Sequence, residues 1–77
     1  MANAPILVTG ATGLLGNNVV RLLLERGQRV RVLVREGGDP RPLEGLDLEV
    51  VYGDVRDGNA VRSAAAGVGG IVHAAAW

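Results

Sequence analysis

The sequence contains no cysteine and no lysine, and its only aromatic residues are Tyr52 and Trp77. The absence of cysteine excludes disulfide bonds, thiolate metal sites and thiol nucleophiles among these residues. All eight basic residues are arginine, so a reaction that needs a lysine ammonium group is not completed within this sequence. Two aromatic rings are too few for a platform that stacks the bases of single-stranded nucleic acid.

The chain also lacks an excess of charge of either sign. It carries eight arginines and eight acidic residues, and its pI is about 6.5. Because nucleic-acid-binding domains usually show a basic surplus on one face, we expect no nucleic-acid partner. No apolar stretch approaches the roughly 18 residues of a membrane span, and no secretory segment is evident, so we expect a cytoplasmic protein with no membrane partner.

Four short apolar runs have the length and the flanking residues of buried β-strands. They are residues 6–9, 30–34, 48–52 and 71–72 in a chain of 77 residues. Longer segments with helix or loop character separate them. This alternation predicts one small α/β domain with a parallel sheet.

Two of the separating segments have the periodicity and the end residues of helices. In the first, apolar side chains form a broad surface that we expect to pack on the sheet: Leu14, Leu15, Val19, Val20, Leu22, Leu23 and Leu24. Gly27 follows where a left-handed C-terminal cap belongs. The second helix is predicted from Asp57 as its N-cap to about Ala66, and Gly67 closes it.

The connections predict a doubly wound sheet with the strand order 3-2-1-4. Right-handed crossovers place the first helix and segment 36–47 on one face and the second helix on the other. Segment 36–47 is rich in glycine and proline, so we expect a loop with at most one helical turn near Leu43. The change of direction between strands one and four predicts a ligand-binding crevice at the carboxyl ends of the strands.

The turn between the first strand and the first helix, residues 9–16, carries three glycines. Gly10 permits a sharp turn, Gly13 lets the backbone approach a pyrophosphate without a Cβ, and Gly16 lets the helix lie close to the sheet. The amide groups of the first helical turn favour an anion there. Thr12 is expected either to cap the helix or to bond a phosphate or ribose oxygen.

A tight turn without a ligand is the plain structural alternative for this segment. Because the glycines follow a predicted strand and open an amphipathic helix, we favour a dinucleotide site. The residues assigned to the cofactor in this turn are Gly10, Thr12, Gly13, Leu14, Leu15 and Gly16.

The spacing Thr-Gly-x-x-Gly-x-x-Gly resembles the glycine motif of the short-chain dehydrogenase/reductase superfamily. Arg35, residues 53–57 (Gly-Asp-Val-Arg-Asp) and residues 73–76 (His-Ala-Ala-Ala) resemble its extended or atypical branch. That branch holds the NAD-dependent epimerase/dehydratase and dihydroflavonol-reductase-like proteins. The resemblance covers nearly the whole chain, and it implies that residues 1–77 form the amino-terminal part of a NAD(P)-binding Rossmann domain, with the substrate domain absent.

Position 35 bears on the choice of cofactor. In a Rossmann unit, an acidic residue about 20 residues after the glycine loop binds the adenosine ribose hydroxyls. Arg35 stands there instead, and its guanidinium can grip a 2′-phosphate in a charge-assisted fork. We therefore expect NADP(H) as the cofactor. NAD(H) stays open, since the neighbouring Glu36 can itself face a ribose, and a solvated strand-end arginine is the structural alternative.

The resemblance implies that Asp54 and Val55 contact adenine. The Asp54 carboxylate would accept a hydrogen bond from the exocyclic amine, and the Val55 amide would donate one to the ring. A helix-entry role for Asp54 is the alternative, although Asp57 already fills that role.

Small residues after the fourth strand allow close approach of the ribose beside the nicotinamide, and we assign Ala74, Ala75 and Ala76 to the cofactor. His73 precedes them at the end of an apolar strand. A lone imidazole in such a place is more often buried and hydrogen-bonded to the backbone than catalytic, so we assign it a structural role.

Hydride transfer in the resembled superfamily depends on a Tyr-x-x-x-Lys pair with a nearby Ser or Thr. Tyr52 is the only tyrosine, and Arg56 stands where the lysine would be, so we assign no catalytic residue and no metal ligand. The resemblance implies the NADP(H)-binding portion of an oxidoreductase, either a reductase or a sugar-nucleotide epimerase/dehydratase. We expect it to act on a small molecule when complete and this chain alone to be inactive.

Two other functions stay open. A non-catalytic NADP(H)-binding redox sensor would keep the glycine loop without the tyrosine, and an inert truncated fragment would bind nothing. The fourth strand also leaves an apolar edge exposed, so we expect weak stability and self-association of the isolated chain.

Overall fold

The structure, a computed structural model, describes residues 4–39 and 41–74. This part of the chain contains the strands β1 (Ile6–Thr9), β2 (Val30–Val34), β3 (Glu49–Tyr52) and β4 (Gly70–His73). They are connected by the helices α1 (Leu14–Glu25) and α2 (Gly58–Ala64) and by a 3-10 turn (Arg41–Leu43). The predicted order of elements is confirmed, and the predicted ends are correct to within about two residues.

The four strands form one parallel sheet in the order β3-β2-β1-β4, as the sequence predicts. Near its centre, Val8 of β1 is aligned with Val32 of β2 and with Val72 of β4. The successive residues Leu7 and Val8 point to opposite faces, and both are fully buried. A strand that is apolar on both faces needs cover on both, which the connecting segments supply.

Separate hydrophobic clusters lie on the two faces of the sheet. The larger cluster joins the sheet to α1 and the 3-10 turn through Val8, Ala11, Val20, Val30, Val32, Val34 and Leu43. The smaller cluster joins the sheet to α2 through Leu7, Leu33 and Ala64. The first two connections therefore share one face and the third covers the other, as the crossover rule predicts.

Helix α1 packs on the sheet through only part of the predicted apolar surface, since Val19, Leu23 and Leu24 lie against the larger cluster as expected. Gly16 and Val20 are buried, whereas Leu14, Leu15 and Leu22 are 82%, 66% and 49% exposed. The expectation that these three leucines pack on the sheet is wrong. A helix comes closest to its neighbours where its side chains are smallest, so the buried face is centred on Gly16 and Val20.

The ends of both helices follow the sequence signals. Gly27 and Gly67 have φ values of +76° and +75°, the left-handed conformation expected of C-terminal caps. The Asp57 carboxylate accepts a hydrogen bond from the Asn59 amide at 3.0 Å, as expected of an N-cap. Neither helix of the described residues has the length and apolar character needed to cross a membrane.

Arg31 of β2 ties the sheet to the end of α2. Its Nη1 atom donates hydrogen bonds to the backbone carbonyls of Ala64 and Ala66, both at 2.7 Å. Its Nε atom lies 3.5 Å from the Glu49 carboxylate of β3 in an ion pair. The guanidinium thus satisfies carbonyl groups that the end of a helix leaves without intrahelical partners.

Candidate functional site

The turn from β1 to α1 is built from backbone contacts between glycines. Gly10 has a φ of +72°, a conformation that favours glycine, and it turns the chain out of β1. The Gly13 amide donates to the Gly10 carbonyl at 3.2 Å, and the Asn17 amide donates to the Gly13 carbonyl at 2.9 Å. These two bonds fix the path of the chain from strand to helix.

Gly16 and Gly13 have different tasks in this turn. A Cβ on Gly16 would lie 2.1 Å from the Gly10 carbonyl oxygen and 3.0 Å from the Ala11 Cα, so no side chain fits. At Gly16 the helix therefore comes close to the turn, whereas the sequence led us to expect a close approach to the sheet. A Cβ on Gly13 would lie 3.5 Å from the same oxygen, an ordinary contact. Folding therefore does not require glycine at position 13.

The amino-terminal end of α1 is open to an anion. Gly13 is the N-cap, and no side chain of the described residues caps this helix. The capping role considered for Thr12 is therefore wrong, and Thr12 is exposed. The first turn contains no acidic residue. Its amides lack intrahelical partners and, together with the positive end of the helix dipole, attract negative charge.

A cleft of about 620 Å³ opens beside this helix end, and we refer to it as the glycine cleft. It is lined by Gly10, Thr12, Gly13, Leu14, Leu15, Arg35 and Ala74. The two leucines that the sequence placed against the sheet are thus part of its wall. Backbone and apolar groups make up most of the lining, and Arg35 carries its charge.

A second cleft, of about 520 Å³, lies between the ends of β2 and β3 and the start of α2, and we refer to it as the acidic cleft. It is lined by Arg35, Glu36, Tyr52, Gly53, Asp54, Asp57 and Ala60. The sequence assigns Arg35 and Asp54 to the cofactor and indicates that Glu36 can face a ribose, but it predicts no ligand role for Tyr52, Gly53, Asp57 or Ala60. The alignment of Val34 with Tyr52 brings the two strand ends together, and the predicted strand order already implied that proximity.

Arg35 lies in the wall that the two clefts share. It follows β2 directly and is exposed. Its side chain makes no hydrogen bond or ion pair with any described residue, whereas Arg41 and Arg56 each hold a carboxylate at 2.8 Å. The guanidinium of Arg35 is therefore available to an anionic ligand in either cleft.

Asp54 is held in place by Arg56. Its Oδ1 accepts from the Arg56 amide at 2.9 Å and from Nε at 3.1 Å, and its Oδ2 accepts from Nη2 at 2.8 Å. These hydrogen bonds, with a smaller contribution from the charge of Arg35, lower the pKa of Asp54 to about 2. Asp54 is therefore a carboxylate at neutral pH, and a side-chain acceptor in the acidic cleft.

The other predicted residues take several positions. Val55 packs its side chain against the cluster under α2. The Ala74 amide donates to the Thr9 carbonyl at 3.0 Å, which holds Ala74 at the edge of the glycine cleft. Ala75 and Ala76 lie outside the described residues.

His73 is exposed rather than buried, and its Nδ1 shares a hydrogen bond with the hydroxyl of the buried Thr9, a side-chain group rather than the expected backbone group. The two residues are aligned across β1 and β4. The bond joins the end of β4 to the residue before the glycine turn. Within residues 4–39 and 41–74, no group of three or more His, Asp or Glu side chains is arranged to hold a metal ion.

Comparison with known proteins gives a consistent result. Residues 6–77 match the model of the NAD dependent epimerase/dehydratase family. The chain is 51% identical over 71 residues to sterol demethylase protein B of Methylococcus capsulatus, covering 92% of this chain and 22% of that protein. It is 45% identical over 69 residues to a putative dihydroflavonol 4-reductase of Synechocystis, covering 90% of this chain and 20% of the relative.

Solved structures agree with these matches. The crystal structure of gox2253 has a TM-score of 0.90 and 43% identity, covering 97% of this chain and 23% of that one. AtPrR2, solved with NADP+ and (+)pinoresinol, has a TM-score of 0.82 and 28% identity over 99% of this chain and 27% of its own. WbmG of Bordetella bronchiseptica, solved with NAD and UDP, has a TM-score of 0.78 and 28% identity over 99% of this chain and 26% of its own.

The chain spans between a fifth and about a quarter of the length of these proteins. The matched segment includes the sheet, the glycine turn and both clefts. The similarity therefore concerns the part of the fold described above, and most of each relative lies outside it.

Proposed function

Because this chain belongs to the NAD-dependent epimerase/dehydratase family, we propose that its two clefts hold a nicotinamide dinucleotide, with NADP(H) preferred to NAD(H). The observation that carries the proposal is the place of Arg35. One arginine whose side chain makes no hydrogen bond or ion pair with a described residue lines both the glycine cleft and the acidic cleft. A ligand that extends from one cleft to the other passes this guanidinium.

The diphosphate fits the glycine turn. The first-turn amides of α1 donate hydrogen bonds, and no acidic side chain of that turn opposes a negative charge. Gly13 carries no Cβ, although the fold accepts one there, so the space outside the turn stays open to phosphate oxygens. Thr12 lines the same cleft and can donate its hydroxyl to phosphate or ribose. Leu14 and Leu15, whose side chains are exposed, add apolar groups to the wall beside this contact.

The 2′-phosphate fits beside Arg35. A guanidinium binds a phosphate through two parallel hydrogen bonds, and such a charge-assisted contact contributes about 1.5–3 kcal/mol. NAD(H) lacks this phosphate and would lose the contact. Glu36 stands next to Arg35 in the acidic cleft and opposes the preference in part, because it repels a phosphate and can accept from a ribose hydroxyl.

The adenine fits the acidic cleft. The ionised Asp54 accepts a hydrogen bond from the exocyclic amine, and the Val55 amide donates to the ring. At the other end of the dinucleotide, Ala74 lies at the edge of the glycine cleft and leaves room for the nicotinamide ribose, and Ala75 and Ala76 keep the same assignment from the sequence alone. The bond between His73 and Thr9 keeps the end of β4 beside the glycine turn, which is a structural role.

The cofactor supplies hydride chemistry when bound, and the residues of this chain bind and orient it. The 77 residues do not contain the Tyr-x-x-x-Lys pair that would react with a substrate. The sequence has no lysine, and Arg56 stands four residues after Tyr52, its only tyrosine. The activity that best fits the whole protein is a reductase or an epimerase/dehydratase acting on a small molecule. We expect the 77-residue chain to bind the dinucleotide without turnover.

A fluorescence titration of the 77-residue chain with NADPH and with NADH tests the proposal. We expect NADPH to bind about ten- to hundred-fold more tightly. Arg35→Ala should remove most of that preference. The control is Arg26→Ala, which removes the same charge from the far end of α1, outside both clefts, and should leave the preference unchanged. Equal binding of the two cofactors, or an unchanged ratio in Arg35→Ala, would contradict the NADP preference.

A further inference from the structure

The sequence Asp-x-Arg occurs twice in the chain with the same local geometry. In both places an aspartate accepts from the amide of the arginine two residues later and from the guanidinium of the same residue. For Asp39 these bonds come from Arg41 at 3.0 Å from the amide and 2.8 Å from Nη2. For Asp54 they come from Arg56 at 2.9 Å and 2.8 Å.

The two pairs differ in their surroundings. Asp54 lines the acidic cleft and its side chain is 32% exposed, whereas that of Asp39 is 52% exposed and lies outside both clefts. Arg56 is 77% exposed and is not part of the cleft wall. The guanidinium therefore holds the carboxylate of Asp54 from outside the cleft that Asp54 lines.

We refer to the hydrogen bonds from Arg56 to the Asp54 carboxylate as the clamp. They leave the carboxylate with few free acceptor positions. A carboxylate offers about four lone-pair positions. The amide and Nη2 hydrogens of Arg56 each occupy one oxygen, and the single Nε hydrogen is shared between the two oxygens at 3.1 and 3.2 Å. These N–H groups fix the orientation of the carboxylate, and they leave room for one further donor. An exocyclic amine is such a donor, whereas a ring carbonyl would meet the carboxylate with a lone pair.

We propose that Arg56 is a positioning residue for base recognition, which holds Asp54 so that the acidic cleft selects a nucleobase with an exocyclic amine over one with a carbonyl at that position. This inference rests on the proposed dinucleotide function. Arg56 does not touch the base. Its effect passes through the orientation and the charge of the Asp54 carboxylate.

The test compares NADPH with its hypoxanthine analogue, in which a carbonyl replaces the amine of adenine. A hydrogen bond to a charged acceptor predicts that the unmodified chain binds NADPH at least about ten-fold more tightly. Arg56→Ala should reduce this preference to about three-fold or less, and Arg56→Lys should lie between, because lysine keeps the charge without the fork. Asp54→Ala should remove the preference altogether.

The matched control is Arg41→Ala, which breaks the same clamp on Asp39 and should retain the full preference. Circular dichroism of each variant reports whether the fold is kept. If the unmodified chain binds neither dinucleotide, the proposed function fails and this inference fails with it. If the chain binds both and Arg56→Ala keeps the preference, or the unmodified chain shows none, this inference alone is overturned.

Discussion

The glycine cleft and the acidic cleft share Arg35 but are made from different materials. The glycine cleft is formed by backbone amides, glycines and exposed leucines, while the acidic cleft carries the carboxylates of Glu36, Asp54 and Asp57. The first attracts an anion through the geometry of a helix end, and the second attracts donors through side-chain charge. Steric changes should therefore damage the first cleft most, and charge changes the second.

The strongest test of this difference is a pair of glycine substitutions in the turn. Gly16→Ala places a Cβ 2.1 Å from the Gly10 carbonyl oxygen, and overpacking of this kind costs about 1–3 kcal/mol in the free energy of unfolding. Gly13→Ala places its Cβ at 3.5 Å on extended backbone (φ −81°, ψ 168°), so the fold should be kept. Its methyl group should nevertheless weaken NADPH binding about ten-fold, the loss of one charge-assisted hydrogen bond.

Urea unfolding followed by circular dichroism, with a cofactor titration of each variant, measures both effects. Gly13→Ala is the control for Gly16→Ala, since the two changes add the same methyl group to the same turn. Equal unfolding midpoints for the two variants would show that the turn is not packed as described. Unchanged NADPH binding by Gly13→Ala would place the diphosphate elsewhere.

A smaller effect is expected from the carboxylate beside Arg35. Glu36→Gln removes a negative charge from the acidic cleft and should raise the preference for NADPH over NADH by about two- to five-fold, the range of an exposed charge interaction. Glu44→Gln removes the same charge from an exposed position outside both clefts and serves as the control. The ratio of the two dissociation constants measures the effect. A smaller preference for NADPH in Glu36→Gln than in the unmodified chain would mean that Glu36 supports the phosphate contact.

The smallest expected effect is on the titration of Asp54. Its pKa of about 2 lies below the ordinary 3.8 because Arg56 donates to it, with Arg35 adding a weaker attraction in a cleft that also holds Glu36 and Asp57. The ionised form therefore stabilises the fold above about pH 4, and this contribution is lost as the pH falls towards 2. Carboxyl NMR should show this midpoint, and Arg56→Ala should move it towards 3.8.

Arg41→Ala removes the corresponding partner of Asp39, whose pKa is also lowered by its arginine, and should leave the Asp54 midpoint in place. A midpoint near 3.8 in the unmodified protein would show that the clamp does not form in solution. A shift of Asp54 in Arg41→Ala would show that the two pairs are not independent.

Local signals in the sequence predicted most of the glycine cleft. The glycine spacing, the strand before it and the helix after it are neighbours in the chain, so the turn could be located without the fold. The exposure of Leu14 and Leu15 could not be predicted in this way, because their spacing in the sequence is also that of side chains on the buried face of a helix. The helix instead makes its close contact through Gly16, which meets Gly10 and Ala11, and a pattern of apolar residues does not show that contact.

The acidic cleft was harder to predict because its walls come from three separate segments. Arg35 follows β2, Asp54 follows β3, and Ala60 belongs to α2. Their proximity depends on the pairing of β2 with β3, which the predicted strand order contained. The hydrogen bonds of Arg56 to Asp54 join two charged residues that are two positions apart. A search for periodic apolar residues does not detect such a pair.

Arg31 makes the two faces of the sheet dependent on each other. Its guanidinium joins the last carbonyls of α2 to a strand whose valines pack under α1, and Glu49 of the neighbouring strand holds it from the other side. Unwinding the end of α2 would remove the two carbonyl acceptors of Arg31. Its guanidinium, whose Nε is buried, would then lose these hydrogen bonds. We therefore expect the amide protons of α2 and β2 to exchange with solvent in one shared opening event, so that the elements on the two faces of the sheet open cooperatively.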